Sequence, residues 1–502
     1  MQTDYFKLDI LSPVHIGTGD ELDPMNYLMR HEDGKVTCHI LDTRSWAKDF
    51  PDPVELSKIF SGGNIPAMRG FLANQIDPAI YGLRRIDVIN KRIFQEYEQK
   101  LKDQSTTNQL LFSPHMTTSD CVPLLPGSSI KGALRTAVID WLDREKHLGL
   151  KTARARDKKG EAYHKQIESV LGPITDSAFK QLKISDVTGY ADSTLLVEPL
   201  ETRIKEGKTV TPKNKCEVMP SRLLGKAEQS SLHARIAIGS LTNPSDRCLT
   251  LRDGKAWDWP ALAKMVNDYY MKRFQKEKTK FYGLPNFAKA RPSIEQLEAE
   301  LQCNVGQMIL RVGHYSQIEF ITVQDNNPFT KKGKEGTPLP YGTTRTLADG
   351  QLPFGWVRLT PCSEAEYLAG MALCEKSNRA SREHREFSRE MVLLDRKRQL
   401  EEIRQRKELD RQEKEAEARR QAELDALSDD ERDIMLLERG ELIENQVYDL
   451  FNRIDTFEPH FQKRAAQVLK SLWIAQKKWR KKECSDKQSI KVSKIKQILG
   501  EI

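Results

Sequence analysis

Apolar residues in the first forty positions recur at a short period and then change to a long one. Tyr5-Phe6-Lys7-Leu8-Asp9-Ile10-Leu11 alternates imperfectly and ends at Gly17 and Gly19, so it predicts a strand and turn; Val36–Leu41 predicts another. Across residues 51–110, Ile86, Ile89, Ile93, Phe94 and Tyr97 fall at helical spacing, which predicts a helical insertion. A helix follows from Gly127 to about Glu145, burying a stripe of Ile130, Leu134, Val138 and Trp141, with Ser128 or Ser129 placed to cap it. Lys151–Lys165 is basic and reads as a mobile stretch. Strands are expected at Leu195–Ile204, His233–Ile238, Gln307–Val312 and Phe354–Leu359, helices at Trp257–Phe274 and Ser293–Leu301, and a loop at 331–344. The mixture of segregated strands and helices predicts an α+β fold.

Beyond Ser363 the pattern is helical to the end. Between Arg379 and Asp425, 27 of 47 residues are charged, 14 basic and 13 acidic, which suits a solvated helix laced with pairs such as Glu402–Arg406. Leu393 and Leu400 lead to Lys407, so the heptad repeat fails at its third step and a single helix is expected. Apolar content returns after Asp429, with Leu469, Leu472 and Trp473 predicting a small helical module.

Bulk properties narrow the class. The 502 residues suffice for two or three domains, and a hydrophobic share of 38% with a mean hydropathy of −0.61 suits a soluble chain. No apolar run approaches the length of a membrane span, and the start lacks a signal layout, so no membrane partner and a cytoplasmic location are expected. Eight cysteines are scattered without a CxxC pair, which points to reduced thiols, no zinc site and no metal. No cofactor is indicated. The net charge of +8 is concentrated: His460–Ile502 holds 12 Lys+Arg against 3 Asp+Glu, a local +9, leaving −1 elsewhere. Such a tail suits RNA or an acidic partner, or simple solubility.

The chemistry centres on Pro126-Gly127-Ser128-Ser129-Ile130-Lys131-Gly132-Ala133-Leu134-Arg135. A Gly/Ser turn opening a helix that carries Lys131 and Arg135 on one face favours a phosphate, through backbone N–H groups, helix dipole and cations together. A nucleotide-binding P-loop requires Lys then Ser/Thr after the second glycine, whereas Ala133-Leu134 follow Gly132, so that reading fails.

PGSSIKGALRTA resembles the glycine/serine-rich signature of the RAMP superfamily, the RNA-binding subunits of CRISPR effector complexes. Residues 8–19 (LDILSPVHIGTG) resemble its first strand and turn. Leu310-Arg311-Val312-Gly313-His314 resembles its C-terminal Gly-rich loop, and Thr344-Arg345-Thr346-Leu347 with Pro353–Leu359 its closing strand. The resemblance covers about residues 5–362. It implies ferredoxin-like (RRM-like) β-sheet halves at 1–190 and 191–362, followed by a charged helix at 363–428 and a basic helical module at 429–502. The signature begins more than a hundred residues into the chain, and this late position is similar to the fifth-subunit family of the type III-A (Csm) complex.

That resemblance implies a subunit that is no enzyme, capping the 3′ portion of CRISPR RNA beside a repeated backbone subunit and the other subunits, with host nucleases as further partners. His15, Gly17, Gly19, Gly127, Ser128, Ser129, Lys131, Arg135, Arg311, His314 and Arg345 are its expected RNA contacts. His15 as a general base would make the chain an endoribonuclease, but the sequence places no second acid or base beside it. Asp20 and Asp23 occupy an early loop where the repeated subunit carries a metal-dependent aspartate; the run joining that aspartate to the signature is absent, and Asp23-Pro24 is a good turn pair. Phe354 and Trp356 in a Gly-flanked strand read as core in preference to base-stacking platforms. A third reading makes residues 363–502 a scaffold that recruits a nuclease.

Overall fold

The computed structural model describes the chain except for residues 1, 33, 104–109, 148, 151–160, 174, 176, 205–210, 239–258, 324–341, 481–484 and 502. Two compact units are present, Met1–Leu393 and Leu394–Ile502. Most of the expected loop at 331–344 and of the basic stretch at 151–165 lies outside the described residues; residues 161–165 begin the helix Glu161–Leu171.

The first unit is α+β. Its central sheet has five strands in the order Met308–Arg311, Trp356–Cys362, Gln2–Ile10, Ser231–Ile238 and Leu182–Ile184, each antiparallel to its neighbour. Gln2–Ile10, the helix Gly127–Lys146, Leu182–Ile184, Ser231–Ile238, the helix Trp259–Glu277 and Met308–Arg311 follow one another as β-α-β-β-α-β, the ferredoxin-like succession. Trp356–Cys362 is inserted between its first and last strands. This sheet draws strands from both sides of residue 190, so the two expected halves interleave in one core.

That core is built as the helical periodicity requires. Ile130, Leu134 and Val138 are fully buried, and their helix meets Trp259–Glu277, whose Tyr270 hydroxyl donates to the Ala133 carbonyl at 3.2 Å. Phe354 and Trp356 are fully buried, so both are core residues. Phe274 packs edge-on against Trp356 with ring centroids 5.6 Å apart.

A six-stranded sheet takes one of its strands, Gly82–Asp87, from the region expected to be helical. Its order is Tyr27–Glu32, Lys35–Leu41, Gly82–Asp87, Leu195–Val197, Lys215–Val218 and Phe112–Ser113. The 51–110 expectation is half right: helices Pro53–Ser61, Ile65–Gln75 and Lys91–Lys102 form, but Ile86 belongs to a strand and Ile89 is 61% exposed. Ile86 is buried because its strand pairs with Lys35–Leu41; Ile93 and Tyr97, with Phe94 packed partly buried against them, keep the helical pattern into a core.

Glu364–Asp425 is a single 62-residue helix, as the failed heptad predicts. Its start packs within the first unit, where Asn378 accepts the Ala191 N–H at 2.7 Å and the Arg385 guanidinium pairs with Asp192. In the second unit, helices Asp429–Glu438, Glu444–Arg453, Pro459–Ala475 and Asp486–Leu499 enclose Ile434, Phe451, Leu469, Trp473 and Ile495. The described cysteines are free thiols; Cys248 and Cys484 lie outside the described residues.

Gly127 is fixed by packing, since a Cβ there would lie 2.3 Å from the Ile184 carbonyl oxygen, whereas one at Gly132 would meet nothing within 4 Å. Gly127→Ala will destabilise the protein by about 1–3 kcal/mol through overpacking. Gly132→Ala will be neutral or stabilising by up to about 1 kcal/mol, because alanine is the better helix former. Thermal unfolding of the two variants side by side checks the contrast.

Candidate nucleic-acid interface

Four separate segments converge on a cleft of about 890 Å³. The first turn brings His15, Gly17, Gly19 and Asp20; the Phe112–Ser113 strand brings Ser113; the signature helix brings Ser129; and the Gly-rich loop brings His314 and Tyr315. His15 forms the floor, being only 3% exposed, while Gly17, Gly19 and His314 are exposed on the walls. The Gly-rich loop reaches the turn because the His314 N–H donates to the His15 carbonyl at 2.8 Å. Gly313 sits there at φ +81°, and a Cβ would fall 2.5 Å from that same carbonyl oxygen, so the approach requires glycine.

Glu217 organises the floor. Its carboxylate is fully buried, takes a two-pronged ion pair from Arg84, with Nη2 to Oε2 at 2.7 Å, and accepts the Thr194 hydroxyl and the His115 backbone N–H at 2.7 and 2.9 Å. Burial alone would raise its pKa, but the Arg84 guanidinium and these hydrogen bonds hold the carboxyl below the usual range. The Glu217 carbonyl oxygen lies 2.6 Å from His15 Nδ1. A carbonyl only accepts, so Nδ1 carries the proton and Nε2 keeps its lone pair beside Gly17. A Cβ at Gly17 would lie 3.2 Å from that Nε2.

Two further histidines flank His15, with ring centroids 6.2 Å away for His115 and 6.0 Å for His314. His115 accepts the Ile16 N–H on Nδ1 and donates from Nε2 to the Leu124 carbonyl, each at 3.1 Å, which fixes a neutral ring. Burial pushes its pKa down to about 4. Burial also lowers His15 and His314, with repulsion from His314 adding at His15 and from Lys213 adding at His314. The cleft therefore presents neutral imidazoles near pH 7.

The predicted residues divide into those gathered here and those placed elsewhere. His15, Gly17, Gly19, Ser129 and His314 line the cleft. Lys131 and Arg135 lie two and six residues beyond Ser129 on the same helix; Lys131 is half-buried, which lowers its pKa, and Arg135 is exposed. Ser128 is exposed at the helix start. Gly127 departs from expectation: its N–H donates to the Asp186 carboxylate at 2.7 Å, so an acidic side chain already occupies the position foreseen for phosphate.

Arg311 and Arg345 also depart from the expected phosphate track, because both side chains are buried. Arg311 Nη1 pairs with Glu277 at 2.9 Å, and Arg345 pairs with Glu277 at 2.5 Å and with Glu319 at 3.1 Å. The Arg345 guanidinium lies 3.6 Å from the Phe281 ring centre. Asp23 is a turn residue as expected, accepting the Met25 N–H at 2.9 Å and lying 3.5 Å from Arg69; Asp20 is exposed on the cleft rim. Sequence reasoning missed His115, Glu217 and Asp186. A signal existed for one of them, since Ser113-Pro114-His115 echoes Ser12-Pro13-Val14-His15.

A model of the RAMP superfamily matches residues 7–281. That is more than half of the sequence, and the chain belongs to this superfamily. It is similar to a Methanocaldococcus jannaschii protein described as "CRISPR system Cms protein Csm5", with 27% identity over 186 residues, 36% of this chain and 41% of that protein. The matched part thus spans less than half the length of this relative. Among solved structures, a chain in a cryo-EM structure of a Csm–crRNA–target RNA ternary complex of a type III-A CRISPR-Cas system aligns with a TM-score of 0.49 and 19% identity, covering 72% of this chain and all of that one. A crystal structure of T. onnurineus Csm5 aligns with a TM-score of 0.48 and 17% identity, covering 70% of this chain and 99% of that one.

Glu217→Gln will leave Arg84 buried without its counter-charge and will destabilise the protein by about 3–5 kcal/mol, whereas Asp20→Asn on the exposed rim will change stability by less than about 0.5 kcal/mol. Denaturant unfolding of the two variants measures the difference. A second expectation concerns pH. The folded His115 titrates below its ordinary value of 6.5, at about 4, so its stabilisation is fully present above 6.5 and is lost as pH falls through 4. The loss amounts to up to about 3 kcal/mol. Melting temperatures between pH 7 and pH 4 will fall less steeply in His115→Gln.

Proposed function

We propose that this chain is a non-catalytic RNA-binding subunit at the end of a type III-A CRISPR effector. It caps the 3′ portion of CRISPR RNA in the His15 cleft and supports maturation of that RNA in antiviral defence. The observation that carries this reading is the convergence of the first turn, the signature helix and the Gly-rich loop on one cleft. Glycine walls admit a sugar–phosphate backbone closely, and a subunit capping varied guides needs such sequence-tolerant contact. Membership of the superfamily and the likeness to a protein described as Csm5 support it. The repeated backbone subunit and the other subunits of the complex are its partners, host nucleases are a further class of partner, and the cytoplasm is its location.

One observation favours a second reading, an endoribonuclease. His15 keeps a free Nε2 lone pair, and His314, with its ring centroid 6.0 Å away, supplies the second acid–base group that the sequence did not place. The 3% exposure of His15 weighs against it, because a general base must reach the proton it removes. Replacing Lys131 and Arg135 together by alanine will weaken binding of unrelated RNA sequences alike and lower the salt slope by about 1–2 units, at roughly 0.7 per neutralised phosphate. Filter binding at several salt concentrations measures this, and unchanged affinity and slope reject the assignment. In the same preparations, labelled repeat RNA will stay intact with and without magnesium; cleavage lost in His15→Ala would establish the enzyme instead.

A further inference from the structure

Two grooves flank the first part of the long helix within the first unit, and they share no residue with the His15 cleft. One, of about 550 Å³, runs between the helix and the Lys35–Leu41 and Gly82–Asp87 strands, and includes Arg30, His39 and Arg85 in its lining. The other, of about 670 Å³, includes Thr118, Thr188, Arg379 and Arg382. Arg385 lines both, so the grooves adjoin along one helix. Together they are lined by seven Lys/Arg side chains, four in the first groove and three more in the second, against four carboxylates, Glu32, Asp77, Asp120 and Glu375.

The internal pairs leave cationic capacity facing solvent. Arg84 is committed to Glu217, and Arg385 pairs with Asp192. Arg85 approaches Asp192 only at 3.9 Å with half its side chain exposed. Arg382 and Asp120, 3.5 Å apart, are both exposed, as are Arg379 and Glu383. Such surface pairs hold little energy, and phosphate competes for them readily. His39 Nε2 is buried with no hydrogen-bond partner, 3.5 Å from Glu32. Arg382, Arg385 and Arg389 recur at i, i+3 and i+7, which places them on one helix face over about 10 Å.

We propose that these adjoining grooves form a second binding track for single-stranded RNA, held by its phosphates. Elongation along the helix and arginines spread over two grooves suit a strand in preference to a single small phosphate ligand. The helix begins at Glu364, beyond the residues 7–281 that match the superfamily model, so the track lies where the chain's extension packs on the matched part. It goes beyond the capping role, since it gives the subunit two separate RNA contacts.

The test uses the full chain and a 40-nucleotide oligouridylate, followed by fluorescence anisotropy at several salt concentrations. Arg379→Gln/Arg382→Gln/Arg389→Gln changes only exposed side chains, so the fold will persist, as circular dichroism checks. The triple variant will bind about tenfold more weakly, and its salt slope will fall by about 2, at roughly 0.7 for each phosphate left without its cation. A control triple, Arg396→Gln/Arg404→Gln/Arg411→Gln, removes equal charge beyond the grooves and will stay within about twofold of the parent. Equal losses in both triples, or no loss in the first, overturn the proposal. ATP abolishing the difference at concentrations near its own binding constant would also overturn it, by identifying a small-ligand pocket. The His15 cleft is intact throughout, so a failed capping role leaves this outcome readable.

Discussion

The buried ion pair between Glu217 and Arg84 is the constraint on which the candidate interface depends. A carboxylate removed from water is costly unless its charge and lone pairs are met, and here a guanidinium, a hydroxyl and a backbone N–H meet them. With Glu217 held on the Lys215–Val218 strand, its carbonyl is aimed at His15 and its carboxylate at the His115 backbone. One residue thus sets the tautomer of the floor histidine through its main chain and positions the next histidine through its side chain. The pair also joins two strands of the six-stranded sheet to the turn that follows the first strand of the five-stranded one. The cleft consequently sits where the two sheets are coupled, on rigid elements, and its geometry is decided before any ligand arrives.

Much of this was legible where one period ran long enough. The signature helix and Trp259–Glu277 appear close to their expected bounds, because their apolar stripes face a single core. Strands Gln2–Ile10, Lys35–Leu41 and Ser231–Ile238 follow for the same reason. The six-stranded sheet was legible only in part: Lys35–Leu41 and Leu195–Val197 fall in expected strands, but Gly82–Asp87 does not, since Ile86 falls at a position that fits either period. Periodicity reads one face of one element, and it cannot say which distant element covers it.

The same limit explains the site. Glycines and histidines placed by a turn were legible as candidates, and they line one cleft, because backbone conformation is a local property. The arginines were not. Arg311 and Arg345 carry the charge expected of phosphate ligands, but Glu277 lies on another helix and Glu319 beyond the Gly-rich loop, and no local pattern announces the pairing. Gly127 shows the reverse case, where a motif that resembles a phosphate cradle is met by Asp186 from a following loop. A carboxylate at a helix start satisfies the same dipole and N–H groups that would attract phosphate. The motif specifies an anion there, and the fold supplies its own.

Charge and shape are consequently divided within this chain. The cleft holds His15 on its floor and His314 on its wall, both with lowered pKa values, and Asp20 and Glu21 also line it, so its own side chains offer an anion little Coulomb attraction. The cations lie outside it, on the signature helix at Lys131 and Arg135 and along the long helix at Arg379, Arg382 and Arg389. Phosphate contacts set register without reading sequence. In this chain the cationic side chains therefore stand apart from the glycine-walled cleft, whose own rim carries the carboxylates of Asp20 and Glu21.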